Sequence, residues 1–471
     1  MRPHATTTSL HAAAARRRWV RSGTLIAGVA ALGTVSVVGA RGATTANWPV
    51  YHGTATGSGA ATGVASIDTS GRAWTSPVLD GQIYGSPLTV GNDVYVATEA
   101  NRIYELSGST GKIIWSRRIA TPVPASALPC GNIAPTVGIT GTPVVDVARH
   151  EIFAVADEWV HHRAEHVLVG LSTVNGALRM RRAVDPRGQD GALVLQRTGL
   201  NLTAGEVVFG FGGNDGDCGN YRGRVVAVSE RGGRPMFFTV DAAAGQREGA
   251  IWMGGAAPEV DAKGRIWVGV GNGSVTSTRQ SYDHSDAVLV LTSALHLVQY
   301  FAPATWATDN ANDTDLSTAP ALLANGKVVA SGKSRSAYLL NGAHLGGINH
   351  QRATIHNVCD SIVTGGPAVV GNTVYLPCLS GPVAVHVTSS PPRLSVHWRA
   401  GAGGGPPIFA ANRVWTIGQD GVLYGLDPSS GEVRQQAAIG SIANHFPTPS
   451  VGDGLLLAPA VNRIVAFRTA G

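Results

Sequence analysis

Charge is scarce in this chain. Only 14% of its 471 residues are charged, against about 25% in ordinary globular domains. Lysine is nearly missing: Lys112, Lys263, Lys327 and Lys333 stand beside 32 arginines. No acidic residue precedes Asp68, whereas Arg2, Arg16, Arg17, Arg18 and Arg21 all do. Without those five arginines the formal charge of +6 falls to +1. A near-neutral body without clustered Lys or Arg excludes nucleic acid as the expected partner. No G-x-S-x-G stretch occurs, so the nucleophile elbow of the α/β-hydrolases is excluded as well.

A long hydrophobic run occurs at the N-terminus. The basic residues 16–21 precede an uncharged run from Ser22 to Ala40, with Val38-Gly39-Ala40 as a small-residue cleavage site. That pattern predicts a signal peptide over residues 1–40. The paired arginines before Trp19-Val20 also resemble a twin-arginine signal. The 19-residue run nearly reaches the ~20 residues that span a bilayer, so a single uncleaved membrane anchor is the alternative. Either way residues 41–471 are expected in an extracytoplasmic space, secreted or anchored to the outer face of the cytoplasmic membrane. Cysteine is limited to Cys130, Cys218, Cys359 and Cys378, which leaves no thiol near residue 40 for a lipid anchor. Four cysteines in an exported chain should pair, and three connectivities are open. Cys359–Cys378 within one repeat is favoured, leaving Cys130–Cys218.

The 61 glycines and 25 prolines are spread along the chain, as many short strands with tight turns require. Beyond Ala43 a unit recurs every 40–60 residues or so. It opens with a small residue before proline, continues through alternating apolar strands, and ends with a glycine turn before a large apolar residue. Gly85-Ser86-Pro87, Val94-Tyr95-Val96-Ala97, Ile103-Tyr104-Glu105-Leu106 and Thr110-Gly111-Lys112-Ile113-Ile114-Trp115 make the first unit. The opening returns at Thr142-Pro143, Ala257-Pro258, Ala319-Pro320, Gly366-Pro367, Pro406-Pro407 and Thr448-Pro449, with Leu200-Asn201 in its place in the third unit. Eight such units with four strands each predict an all-β, eight-bladed β-propeller over residues 41–471. The last unit stops after a third strand at Val465-Ala466-Phe467, and an orphan strand around Trp74 precedes the first. An unpaired edge and a short blade are both liabilities. Joining them closes the ring, with the N-terminal strand completing the last blade.

These repeats resemble the pyrroloquinoline-quinone (PQQ) type propeller of the quinoprotein alcohol dehydrogenases. They also resemble the propeller lipoprotein of outer-membrane barrel assembly, a scaffold and not an enzyme. Asn47-Trp48-Pro49-Val50-Tyr51-His52-Gly53 is similar to the segment that begins mature proteins of this superfamily, and the likeness covers about residues 47–469. More closely, the chain is similar to a bacterial branch carrying stretches like Pro129-Cys130-Gly131-Asn132-Ile133 and Gly216-Asp217-Cys218-Gly219-Asn220-Tyr221.

The resemblance implies a PQQ and calcium site on the ring axis. Asn272 in Gly271-Asn272-Gly273-Ser274 would bind calcium, together with Asp217 and Asp315. Asp315 would also be the catalytic base, and Lys333 would contact the quinone along with Asn272. Two departures stand against it. The family's adjacent cysteines over one cofactor face are reduced to Cys130 before Gly131, and Trp252 lies several residues ahead of the expected stacking position. Each residue also has a structural explanation, as a turn, a loop Asx or a solvated lysine. His161, His162 and His166 lack the carboxylate or Cys spacing of a zinc site. Asn214-Asp215-Gly216-Asp217 lacks the final Glu of a calcium loop.

Two functions follow as expectations. The first is a binding or scaffold propeller acting without catalysis on an envelope protein, a small molecule or a glycan; it expects an axial channel lined by other residues. The alternative is a PQQ- and calcium-dependent oxidoreductase of an alcohol or sugar. That reading requires Asn272, Asp315 and Lys333 to converge near the axis.

Overall fold

The computed structural model describes residues 47–186, 188–444 and 446–470. The expected signal peptide or anchor, residues 1–40, lies outside the described residues. Among the described residues no helix is long and apolar enough to cross a membrane.

Eight principal sheets, each of four or five strands and chiefly antiparallel, follow one another along the chain. The first blade runs from Leu88–Val90 through Asp93–Thr98 and Arg102–Ser107 to Ile113–Arg118. The next six span residues 144–183, 194–239, 259–302, 321–355, 368–399 and 408–438. Burial explains the repeated pattern. Middle strands such as Glu206–Gly213 are sandwiched between neighbouring blades and are apolar on both faces. Outer strands such as Ile113–Arg118 face solvent and carry the charges. The apolar layers therefore lie between blades: Val144, Phe153, Phe209 and Phe211 join blades two and three, and Trp267, Val288, Tyr338 and Leu340 join four and five.

The eighth blade closes the ring as expected. Ser450–Gly452, Leu455–Ala460 and Arg463–Ala470 supply three strands. Trp74–Thr75 pairs antiparallel with Ala466 and Val465, and a second short strand, Ser66–Asp68, pairs with Arg468 to Ala470. The outer strand thus comes in two pieces, of which the sequence pattern showed one.

Trp74 also locks the seam sideways. Its indole N–H donates to the Gly108 carbonyl of blade one at 2.6 Å. A Cβ on Gly111 would lie 2.4 Å from its ring, and that glycine sits at φ +70° in the turn. Only glycine combines such a backbone with so close an approach. Trp115 meets Gly176 and Thr173 of blade two in the same way, and Trp398 meets Gly431 and Pro428 of blade seven. The eight-to-one seam is therefore built like the junctions inside the ring.

A strap over residues 48–61 crosses one end of the axis. Trp48 pairs with Thr89 of blade one, and Pro49 accepts from Val145 of blade two. Ala55 accepts from Val260 of blade four and from the Asn201 side chain of blade three. Ser58 and Gly59 accept from Val369 and Phe409 of blades six and seven. The Tyr51 hydroxyl accepts from the Gly366 N–H at 3.3 Å and lies 3.5 Å from the Thr448 hydroxyl. A Cβ on Gly199 of blade three would also lie 3.3 Å from the Tyr51 Cβ, so groups from blades three, six and eight meet on this one side chain, which places it on the axis.

Candidate functional site

The other end of the axis is open. A cavity of about 490 Å³ is lined by residues that precede the first strands and by hairpins between second and third strands. Tyr84, Ile133, Trp252, Ser317, Thr364 and Phe446 come from the connections between blades, and Leu195 and Arg197 from the start of blade three, in and just after its short strand Val194–Leu195. Asp217, Asn272 and Lys333 come from the hairpins of blades three, four and five. Because Tyr51 and the strap seal the far end, the cavity is a blind cup. Ile133, Leu195, Arg197, Ser317 and Thr364 are buried in its floor, while Asn132, Asp215 and Asp313 are exposed at its rim.

Three of the four residues singled out in the sequence share this cavity, contrary to the expectation of a channel lined by others. Asp315 lies beneath it, fully buried. Its Oδ1 accepts from the Ser317 N–H at 2.9 Å, and Lys333 Nζ donates to Oδ2 at 3.2 Å. Lys333 also donates to Asp313, which caps the short helix Trp306–Asn312 in a left-handed conformation (φ 53°). Burial opposes the Lys333 charge, but Asp315 and Asp313 outweigh it and hold its pKa above the usual lysine value. Lys333 lies over the Trp252 ring, 5.4 Å from its centre. Trp252 thus reaches the axis despite its early position, because a one-turn helix at Met253–Gly255 takes up the intervening residues.

Asp217 accepts from the Tyr221 hydroxyl, and burial raises its pKa. The Asn272 Oδ1 is buried without a hydrogen-bond partner. Both expected disulfides are formed, with Cα atoms 6.2 Å apart for Cys130–Cys218 and 5.8 Å for Cys359–Cys378. The first ties the blade one–two connection to the hairpin carrying Asp217. Cys130 lines a small annex that shares Asn132, Ile133, Leu195 and Asp215 with the main cavity. Sequence reasoning missed Arg197 and Tyr84; they lie outside any repeat signature, two or three residues ahead of a blade opening.

Among the described residues no three His, Cys, Asp or Glu side chains gather to hold a metal. His161 and His162 form the tip of a long hairpin, whereas His166 is buried between two carboxylates. Its Nδ1 lies 2.7 Å from Asp185 and its Nε2 3.4 Å from Asp157. Burial works against its charge, but Asp157 and Asp185 more than compensate and raise its pKa well above the usual value. Asp185→Asn should therefore destabilise the fold by about 3–5 kcal/mol at neutral pH, by weakening a buried ionic network. Urea unfolding of the variant would measure this, and a loss under about 1 kcal/mol would mean the pair is not ionised.

Three solved structures share the fold. The quinohemoprotein alcohol dehydrogenase of Pseudomonas putida matches with a TM-score of 0.67 at 13% identity, over 90% of this chain and 80% of its own. That of Comamonas testosteroni matches at 0.66 and 15%, with the same coverage. A europium-containing methanol dehydrogenase matches at 0.62 and 13%, over 90% of this chain and 98% of its own. At these identities the likeness is one of fold. No curated protein matches the chain. The family model described as outer membrane protein assembly factor BamB matches residues 16–277, more than half of the sequence. With its eight repeats closed into a PQQ-type ring, the chain belongs to that family.

Proposed function

We propose that this propeller is an extracytoplasmic binding protein whose blind axial cavity holds a small organic molecule. The carrying observation is the cavity itself. At about 490 Å³ it falls within the roughly 300–1,000 Å³ of ligand sites, and it combines apolar and aromatic walls with a few converging polar groups. The two disulfides fit an oxidising, extracytoplasmic setting.

A calcium-bound quinone fits these residues poorly. Calcium takes roughly six to eight oxygen ligands. Both oxygens of Asp315 are engaged by Ser317 and Lys333, and Asp313 is engaged by Lys333. One oxygen of Asp217, whose Oδ1 accepts from Tyr221, and the unpartnered Asn272 Oδ1 remain, with an ammonium group lining the same cavity. One observation still favours the oxidoreductase reading: Asp217, Asn272, Trp252 and Lys333 line one cavity.

A thermal-shift screen of small organic molecules tests the proposal. Some compounds should stabilise the protein saturably, and Ala443→Trp, which fills the half-buried mouth, should abolish their effect. Shifts that survive this substitution would refute the cavity as the site. Dye-linked oxidation of an alcohol or sugar in the presence of PQQ and Ca²⁺, lost in Asp315→Ala, would replace this reading with the enzymatic one.

A further inference from the structure

Arg197 is a cavity-lining cation with no counterpart. It is 8% exposed at the floor, and its guanidinium carbon lies over the rings of Tyr84 and Phe446, 5.9 Å from each centre. On another side a Cβ at Gly255 would lie 2.3 Å from its Nη1, so the backbone leaves just enough room for it. Among the described residues its five N–H donors make no hydrogen bond or ion pair; what surrounds it is the two rings and the Gly255 backbone. An unpaired charge in such a place is costly to bury. Glu99, which acts on it electrostatically, makes no hydrogen bond or ion pair with it: its Oε2 accepts from the Gly138 N–H at 2.6 Å and the Thr140 hydroxyl at 3.1 Å, and its Oε1 is buried without a hydrogen-bond partner. Burial lifts the Glu99 pKa to about 8, which leaves it largely uncharged at neutral pH. Lys333, by contrast, is matched by Asp313 and Asp315.

We infer that Arg197 anchors the carboxylate of an organic monocarboxylate, seated acid end down in the cup. The planar guanidinium fork suits a carboxylate bidentately, and its donors have been left free for that purpose. The walls of Tyr84, Phe446, Ile133 and Leu195 suit an apolar or ring-bearing body. The rim carboxylates Asp215 and Asp313 suit a hydroxyl or amine at the far end. A phosphate dianion is disfavoured, because a single unmatched cation faces it while the rim carboxylates repel it. This inference rests on the cavity-binding reading.

Calorimetric titration of the whole chain with benzoate, 4-hydroxybenzoate and gluconate tests it, against benzamide, glucose and inorganic phosphate at equal ionic strength. At least one carboxylate should bind saturably, with benzamide and glucose at least tenfold weaker. Arg197→Met should weaken carboxylate binding about tenfold to a hundredfold, the effect of losing charge-assisted hydrogen bonds. Arg197→Lys, which keeps the charge and loses the fork, should fall between, and decides the matter if the Met variant does not fold. Equal binding of benzoate and benzamide, unchanged affinity in the variants, phosphate as the best ligand, or no carboxylate binding at all would each overturn the inference. A neutral ligand displaced by Ala443→Trp but indifferent to Arg197→Met would overturn it while leaving the cavity reading intact.

Discussion

Replacing Trp74 with alanine should destabilise the entire ring by about 3–5 kcal/mol, the usual cost of emptying a buried tryptophan site. The indole fills the layer between blades eight and one with Leu79, Val94, Val96, Leu457 and Ile464. Its loss also leaves the Gly108 carbonyl without its donor. Deleting residues 66–75 should cost more, since it strips the outer strand from the Arg463–Ala470 edge and exposes that edge to pairing with other chains. Urea unfolding followed by circular dichroism is the measurement. A closed ring should unfold in one transition at lower urea, and Trp74→Ala should cost about as much as Trp115→Ala. If Trp74→Ala instead melts blade eight alone in a separate early transition, the seam is not integral to the ring.

The second large effect concerns pH. Asp241 is 1% exposed, and neither carboxylate oxygen has a hydrogen-bond partner. Burial, and then the negative charges of Asp283 and Glu248, raise its pKa to about 9. In the unfolded chain it would titrate near its ordinary value of 3.8. A carboxyl whose folded pKa is raised stabilises fully below its unfolded pKa, and that contribution is lost as pH rises through the folded value. Between those two limits each pH unit removes at most about 1.4 kcal/mol of stability. Asp241→Asn abolishes this titration. The variant should gain on the parent steadily from pH 5 to pH 8 and be clearly more stable at pH 8, in urea titrations at each pH. Parallel stability profiles for the two proteins would show that Asp241 does not carry the proton.

Much of this architecture was legible because propeller blades repeat their local chemistry. The turn glycine before Trp115 is needed for its backbone angle and for the neighbouring blade's tryptophan, so its spacing marks a blade wherever it recurs. The orphan strand at Trp74 could be matched to the Trp115 strand for the same reason. Ser66–Asp68 escaped notice because three residues with a single buried side chain leave no alternation to read. The helix Trp306–Asn312 escaped because it is seven residues long and sits in a polar connection. The site was legible in part. Asp217, Asn272 and Lys333 were found through family likeness, and they do meet. What the likeness could not convey is that Lys333 is spent on Asp313 and Asp315, since ion pairing depends on distances no motif records. Arg197 carried no signal, because one arginine among 32 becomes distinctive only when the fold shows that no acid is paired with it.

The two-piece outer strand of blade eight has a kinetic consequence. Trp74 pairs with Ala466, so the two halves of the seam are separated by almost the whole chain. A chain made from its N-terminus holds Trp74 long before it gains the partner strand, because seven blades and most of the eighth are made in between. Until then blade one presents an apolar flank of Val94, Val96 and Leu106 with nothing against it. Contacts this distant in sequence close slowly, and exposed flanks of this kind aggregate. The strand made ahead of the first blade is among the last to find its place, and the open ring must be kept from other chains until the strand Arg463–Ala470 has been made.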